Sequence, residues 1–300
     1  MAHDISLKIL GIRAFYSSPG LKNQTTGGNT SCIQLHDGAH TIFINAGFGV
    51  NMAGDELFAR YLKTKMPVNC TVLFSDFLWD SIMGLPFFTP IHFKSTELDI
   101  LTGCHASTAE KALDDAASPL FSPFNGVAGF RSSISFRTID SAMTLGAWTI
   151  NALTLDHPLT PYPVTVWRLT HDSGWDVGII MLCNPDQTSL QSVNQFLKGC
   201  KTLVCAASTS PTNDGWDQHR TGFDDALNIA LTIGAQDLFL SQFHPEMTDL
   251  LLQRELLKLQ STLQLKKEQG VPLAKTLNVH LGSELEVITT TIVPIMQRTA

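Results

Sequence analysis

The chain is expected to fold as a mixed α/β (α+β) protein. Short β-branched and apolar runs recur along it, and longer stretches with helical spacing fall between them. A hydrophobic share of 44% over 300 residues is ample for a large core. No low-complexity linker or solenoid repeat divides the chain, so a single domain over residues 1–300 is expected.

The elements follow in order. Strands are expected over residues 6–12, 31–35 and 41–44, with Asp37-Gly38 turning the second into the third as a hairpin. Residues 52–65 carry apolar groups at helical spacing, and 70–74 read as a short buried strand. Further strands are expected at 98–101, 134–137, 148–155, 164–169 and 177–182, with helices at 107–117 and 189–197. Strand 202–206 then precedes helix 223–233, and strand 238–241 precedes a long helix over 248–268. The leucines at 250, 251, 252, 256, 257, 259, 263 and 265 cover a broad face, which predicts burial of that helix on more than one side. Strands 277–281 and 285–291 end the chain. Two groups of strands with helices between and outside them fit a layered sandwich.

Composition narrows the function. The charged share is 16%, against a usual figure of about 25%. The net charge is −7 and no Lys/Arg cluster occurs, which argues against a nucleic-acid partner. A sparsely charged surface is compatible with cover by another subunit, so a homo-oligomer is one expectation. No apolar run reaches membrane-spanning length, and the amino terminus lacks the pattern of a signal peptide. Six cysteines form no C-x-x-C pair and four sit in apolar runs, as reduced core residues of a cytoplasmic protein would. No nucleophile elbow, P-loop or dinucleotide-binding glycine pattern is present.

The most informative stretch is LFSDFLWDSIMGLPFF, residues 73–88, which follows an apolar strand and leads into a helical turn. It resembles the metallo-β-lactamase-fold hydrolases, whose H-x-H-x-D-H signature often continues as W-D-H-x-x-G-L-P-F-F. Four further segments keep the same order: GIRAFYSSPG with GGNTSCIQL near the start, INAGFG at 44–49, GWDQHRTGFDDALNIA from Gly215, and LSQFHPEMTD at 240–249. Together they resemble the phosphoribosyl cyclic phosphodiesterase-like branch of that superfamily. The resemblance implies a four-layer αββα sandwich.

It also implies a site for two metal ions, which polarise a phosphoryl or carbonyl oxygen and supply hydroxide. Carried over position by position, the first metal would face Asp76, Leu78 and His157, and the second Asp80, Ser81, Asn184 and Gln242. Only Asp80 and His157 are of the family's type. Asn45 likewise stands where the family's D-x-G-x-G turn begins with aspartate. Leu78 has no donor atom, and the hydroxyl and amides are weak substitutes for imidazole and bridging carboxylate. Loss of the zinc or manganese site is therefore expected.

Each candidate has a plainer alternative. His157 without a metal would hydrogen-bond to a carbonyl or carboxylate, and Asp80 would cap the helix that begins near Trp79. Asp76, Asp80 and His157, or the two aspartates with Asn184, form the set that would hold a single hard cation. His244 lies two positions beyond Gln242 and competes with it for the inward place. His219 and Arg220 fall on the substrate side of the family's site. Arg220 is suited to a phosphate or carboxylate, or is a solvated loop residue. Trp79 and Trp216 would line the pocket mouth or pack at its rim. Gly27-Gly28-Asn29-Thr30 either offers N–H groups to an anion or is a structural turn. Cys183 reads as a buried inert thiol.

The functional expectation is a catalytically inactive member of a hydrolase fold. It would act by binding a protein partner or a small, nucleotide-like ligand. Two alternatives stand beside it: a phosphodiesterase with an altered single-metal site, and an assembly subunit.

Overall fold

The computed structural model describes residues 5–120, 123–140, 142–158, 160–212, 215 and 219–290. The amino-terminal half builds one seven-stranded sheet. β1 (Ile5–Gly11), β2 (Cys32–His36) and β3 (Thr41–Ile44) run antiparallel, and α1 (Val50–Thr64) carries the chain into β4 (Val68–Phe74). Asp37 makes the β2–β3 turn by accepting from the N–H groups of Ala39 and His40, at 2.9 and 2.6 Å. After α2 (Trp79–Ile82), β5 (Thr96–Thr102), α3 (Ala106–Ala116) and β6 (Ser133–Thr138), the strands β3 to β6 lie parallel.

The second half mirrors this arrangement. β7 (Met143–Leu145), β8 (Trp148–Leu155), β9 (Val164–His171) and β10 (Asp176–Ile180) form an antiparallel run. α4 (Gln187–Phe196), β11 (Thr202–Ala206), α5 (Phe223–Ile233), β12 (Asp237–Ser241), α6 (Asp249–Glu268) and β13 (Asn278–Leu281) follow, and β10 to β13 are parallel. β14 (Val287–Thr290) returns to the first sheet beside β1. The strand orders are 14-1-2-3-4-5-6 and 13-12-11-10-9-8-7.

Strand periodicity sets the layers. Ile42 and Ile44 point into a core shared with Trp148, Ile150, Val166 and Leu169 of the second sheet. Phe43, between them, points the other way and packs with Val50, Ala53 and Leu57 of α1 and Leu113 of α3. Residues of α4, α5 and α6 belong to the larger core on the second sheet's side. The order is helices, sheet, sheet, helices, as the αββα expectation requires.

Caps fix the helices. The Asp186 carboxylate accepts from Thr188 N and Ser189 N at the start of α4, and Thr248 Oγ1 accepts from Leu251 N at the start of α6. α5 ends at Gly234 with φ 84°, a left-handed conformation that favours glycine.

One expectation is corrected, and one strand is added. β7 was not foreseen, because three residues are too few to show a period. The broad leucine face of α6 is not buried all round. Leu252, Leu259 and Leu263 are buried, whereas Leu250, Leu257 and Leu265 are exposed, since the helix lies across one face of the sandwich. Among the described residues no helix is long and apolar enough to cross a membrane.

Candidate functional site

The candidate residues gather where strands end. Asn45 follows β3, Ser75 and Asp76 follow β4, Asn184 follows β10, Ser208 follows β11, Gln242 follows β12, and His157 lies just past β8. The carboxyl ends of parallel strands leave such a crevice because the crossover helices turn away there. Thr165 N donates to Ser75 O at 2.7 Å, tying the two sheets together at this edge.

Asn45 organises the first wall. It sits at φ 58°, and its side-chain oxygen accepts from Ser75 N at 2.8 Å. Its amide nitrogen donates to Ser31 Oγ at 3.0 Å and Ser81 Oγ at 2.9 Å. Ala46 N and Gly84 N complete the clamp on α2 by bonding Ser81 O and Ala46 O. Gly47 allows the close approach, for a Cβ there would stand 2.3 Å from Asp80 O.

Asp76 and Asp80 are both buried. Asp76 Oδ1 accepts from Leu78 N at 3.0 Å. Burial, and then the nearby charge of Asp80, push the Asp76 carboxyl up to about 6. Asp80 does not cap α2. The position before the helix is Leu78, and Asp80 Oδ2 instead accepts from Phe15 N at 2.8 Å. A distant loop offered a half-buried N–H that outcompeted the local one.

His157 is buried, and its Nε2 donates to the backbone carbonyl of His219 at 2.7 Å. A carbonyl only accepts, so the hydrogen of the neutral ring is on Nε2. Desolvation holds this imidazole below the usual histidine range. His219 is exposed at φ 65°, with Nδ1 3.3 Å from Asn184 Oδ1, while Asn184 Nδ2 donates to Asp186 at 2.9 Å. Gln242 is buried at φ 55°, and its Nε2 has no hydrogen-bond partner among the described residues. His244 is buried as well, edge-on to Phe15 at 5.3 Å, with Nδ1 accepting from Glu246 N.

Arg220 is not a solvated loop residue. It is 7% exposed, with its guanidinium carbon 4.2 Å from the Phe15 ring centre. It lies near enough to influence both Asp76 and His157. Phe15, at φ 63°, thus touches Asp80 through its backbone and Arg220 and His244 through its ring. Sequence patterning gave no sign of this role, because an isolated aromatic in a loop belongs to no periodic run.

A cleft of about 700 Å³ opens beside this cluster, lined by Phe77, Leu78, Trp79, Ile82, Pro161 and Tyr162 among others. Trp79 is 51% exposed on its wall. The cleft shares Leu78 with the metal-position set, but none of the buried polar residues lines it. Trp216 lies outside the described residues. The Gly27–Thr30 turn is structural: Gly27 O accepts from Arg13 Nε, and Asn29 N donates to Glu284. Burial raises the Cys183 thiol to about 12, leaving it a packed, unreactive group.

Among the described residues, no group of three or more His, Cys, Asp or Glu side chains is placed to hold a metal ion. No protein-family profile and no curated protein matches the chain. Solved structures do. The metallo-β-lactamase-fold protein YhfI from Bacillus subtilis aligns over 96% of this chain and 100% of its own, at TM-score 0.63 and 15% identity. A diphosphatase of the PhnP family aligns over 97% and 98%, at TM-score 0.60 and 11% identity. Human tRNase Z, short form, aligns over 96% and 99%, at TM-score 0.58 and 15% identity. At these identities the likeness is one of fold.

Proposed function

We propose that this protein, which has the metallo-β-lactamase fold, works by binding a small ligand or a protein partner rather than by metal-dependent hydrolysis. The observation that carries this reading is the state of the donor set. Leu78 offers no donor, and Ser81 Oγ is held by Asn45. The Asn184 amide is committed to Asp186 and His219, and His157 Nε2 to a carbonyl. A permanent cation, Arg220, influences Asp76 and His157, two of the positions that would face a metal. Two divalent ions need about four donors each, mostly imidazole and carboxylate, so this set does not fit them.

Metal analysis of protein purified without chelator tests the reading, with less than about 0.1 equivalent of zinc, manganese or iron expected under tight-binding criteria. Two equivalents per chain would refute it. The single-metal phosphodiesterase reading draws on the two buried, interacting aspartates Asp76 and Asp80. Hydrolysis of an activated phosphodiester with added Mg²⁺, Mn²⁺ or Zn²⁺, abolished by Asp80→Ala, would favour it over the binding role.

A further inference from the structure

Two arginines packed into the fold hold acceptors. Arg13 donates from Nε to Gly27 O, from Nη1 to Met247 O and from Nη2 to Thr26 Oγ1, at 2.7 to 2.8 Å. Arg168 forms a two-point pair with Asp176 and also reaches Phe196 O. Arg220 departs from this pattern. It is more than nine-tenths buried, and its Nε has no hydrogen-bond partner among the described residues. Burying a guanidinium N–H without an acceptor is costly, so Arg220 Nε suits a ligand that brings the acceptor with it.

The surroundings offer more donors of the same kind. Gln242 Nε2 is buried without an acceptor, and so are the hydroxyls of Ser208 and Ser241. The backbone brings these residues together. Ser208 N donates to Thr221 O at 2.9 Å, next to Arg220, and Ala207 N donates to Ser241 O at 2.7 Å, next to Gln242. Gln242 is held at φ 55°, a conformation a non-glycine residue adopts only when its surroundings impose it. A guanidinium, an amide N–H₂ and two hydroxyls make a set rich in donors, which matches an oxyanion. Arg220 is near enough to Asp76 to act on it, so the Asp76–Asp80 pair opposes added negative charge there, a dianion more than a monoanion.

Resting on the reading that no metal pair fills this crevice, we propose that Arg220 and Gln242 form a binding site for a small molecule bearing a singly charged oxyanion, such as a carboxylate. The cleft walled by Trp79 and Tyr162 reaches the crevice at Leu78, two residues from Asp76, and would take an attached aromatic body.

Thermal unfolding and calorimetry with phenylacetate as probe test this, with benzyl alcohol as the neutral control and phenyl phosphate at pH 8 as the dianion. Phenylacetate should raise the melting temperature and give a saturable heat, and benzyl alcohol should do neither. Gln242→Met should weaken phenylacetate by about tenfold, and Arg220→Gln by more, as expected when a buried donor to a charged group is lost. Arg220→Gln without ligand should unfold no earlier than the wild type, which an arginine with a purely structural role would not allow. Absence of binding, or equal binding by the wild type and Gln242→Met, would overturn the proposal. Stronger binding of phenyl phosphate would overturn the single-charge assignment. Metal analysis of the same sample separates the two readings: metal-free protein that ignores phenylacetate sinks this site alone, whereas two metal equivalents sink the non-hydrolytic reading.

Discussion

Replacing Asp76 by Asn is expected to stabilise the protein at neutral pH. In the folded chain, burial and then the Asp80 charge move this carboxyl from 3.8 to about 6. The folded state therefore holds the proton more firmly than the unfolded one. Its contribution to stability is complete below the unfolded value and is lost as pH rises through about 6. Each tenfold change in proton affinity is worth about 1.4 kcal/mol, so the ionised form costs about 3 kcal/mol at pH 7.5 and less than about 1 kcal/mol at pH 4. The amide keeps an acceptor oxygen for Leu78 N, now 3.0 Å from Asp76 Oδ1, at nearly unchanged volume. Urea unfolding of both proteins at pH 4 and pH 7.5 measures the difference. A loss at pH 7.5 would show that the ionised carboxylate is stabilised by Arg220. A gain of the same size at both pH values would show that ionisation is not the cause, and either result would end the argument from burial.

Asn45→Ala removes the acceptor of Ser75 N and the donor to two serine hydroxyls, at a position with φ 58°. A loss of about 2–4 kcal/mol in urea unfolding is expected, and an effect under about 0.5 kcal/mol would remove Asn45 from its organising role. Arg13→Met leaves Gly27 O, Met247 O and Thr26 Oγ1 without their donor and should cost about 3 kcal/mol or more in the same assay. A neutral outcome would mean that water reaches those groups freely. The cysteines should resist an aromatic disulfide reagent in the native state and all react after denaturation, because burial pushes the thiols of Cys70, Cys183 and Cys200 up to about 12. Rapid reaction of Cys183 in native protein would contradict its packed position.

Local pattern carried much of the fold. β3, β8, β11 and α5 begin and end where the sequence reading placed them, because alternation, β-branched runs and the glycine after α5 are written in consecutive residues. The missing donor at one position was equally legible, for the Leu78 side chain cannot bind an ion in any conformation. The geometry of the candidate site depended on segments far apart in the chain. Asp80 was available as a helix cap, but Phe15 N claimed it from 65 residues away. Arg220 was open to solvent or burial until the Phe15 ring settled beneath it. The leucines of α6 announced an amphipathic helix, yet only its placement across one sheet decided which of them left water. Periodicity is a property of neighbours along the backbone, so it survives in sequence. The partner of a buried charge or donor is set by which loops meet when the sheets pack, and that only the tertiary structure decided.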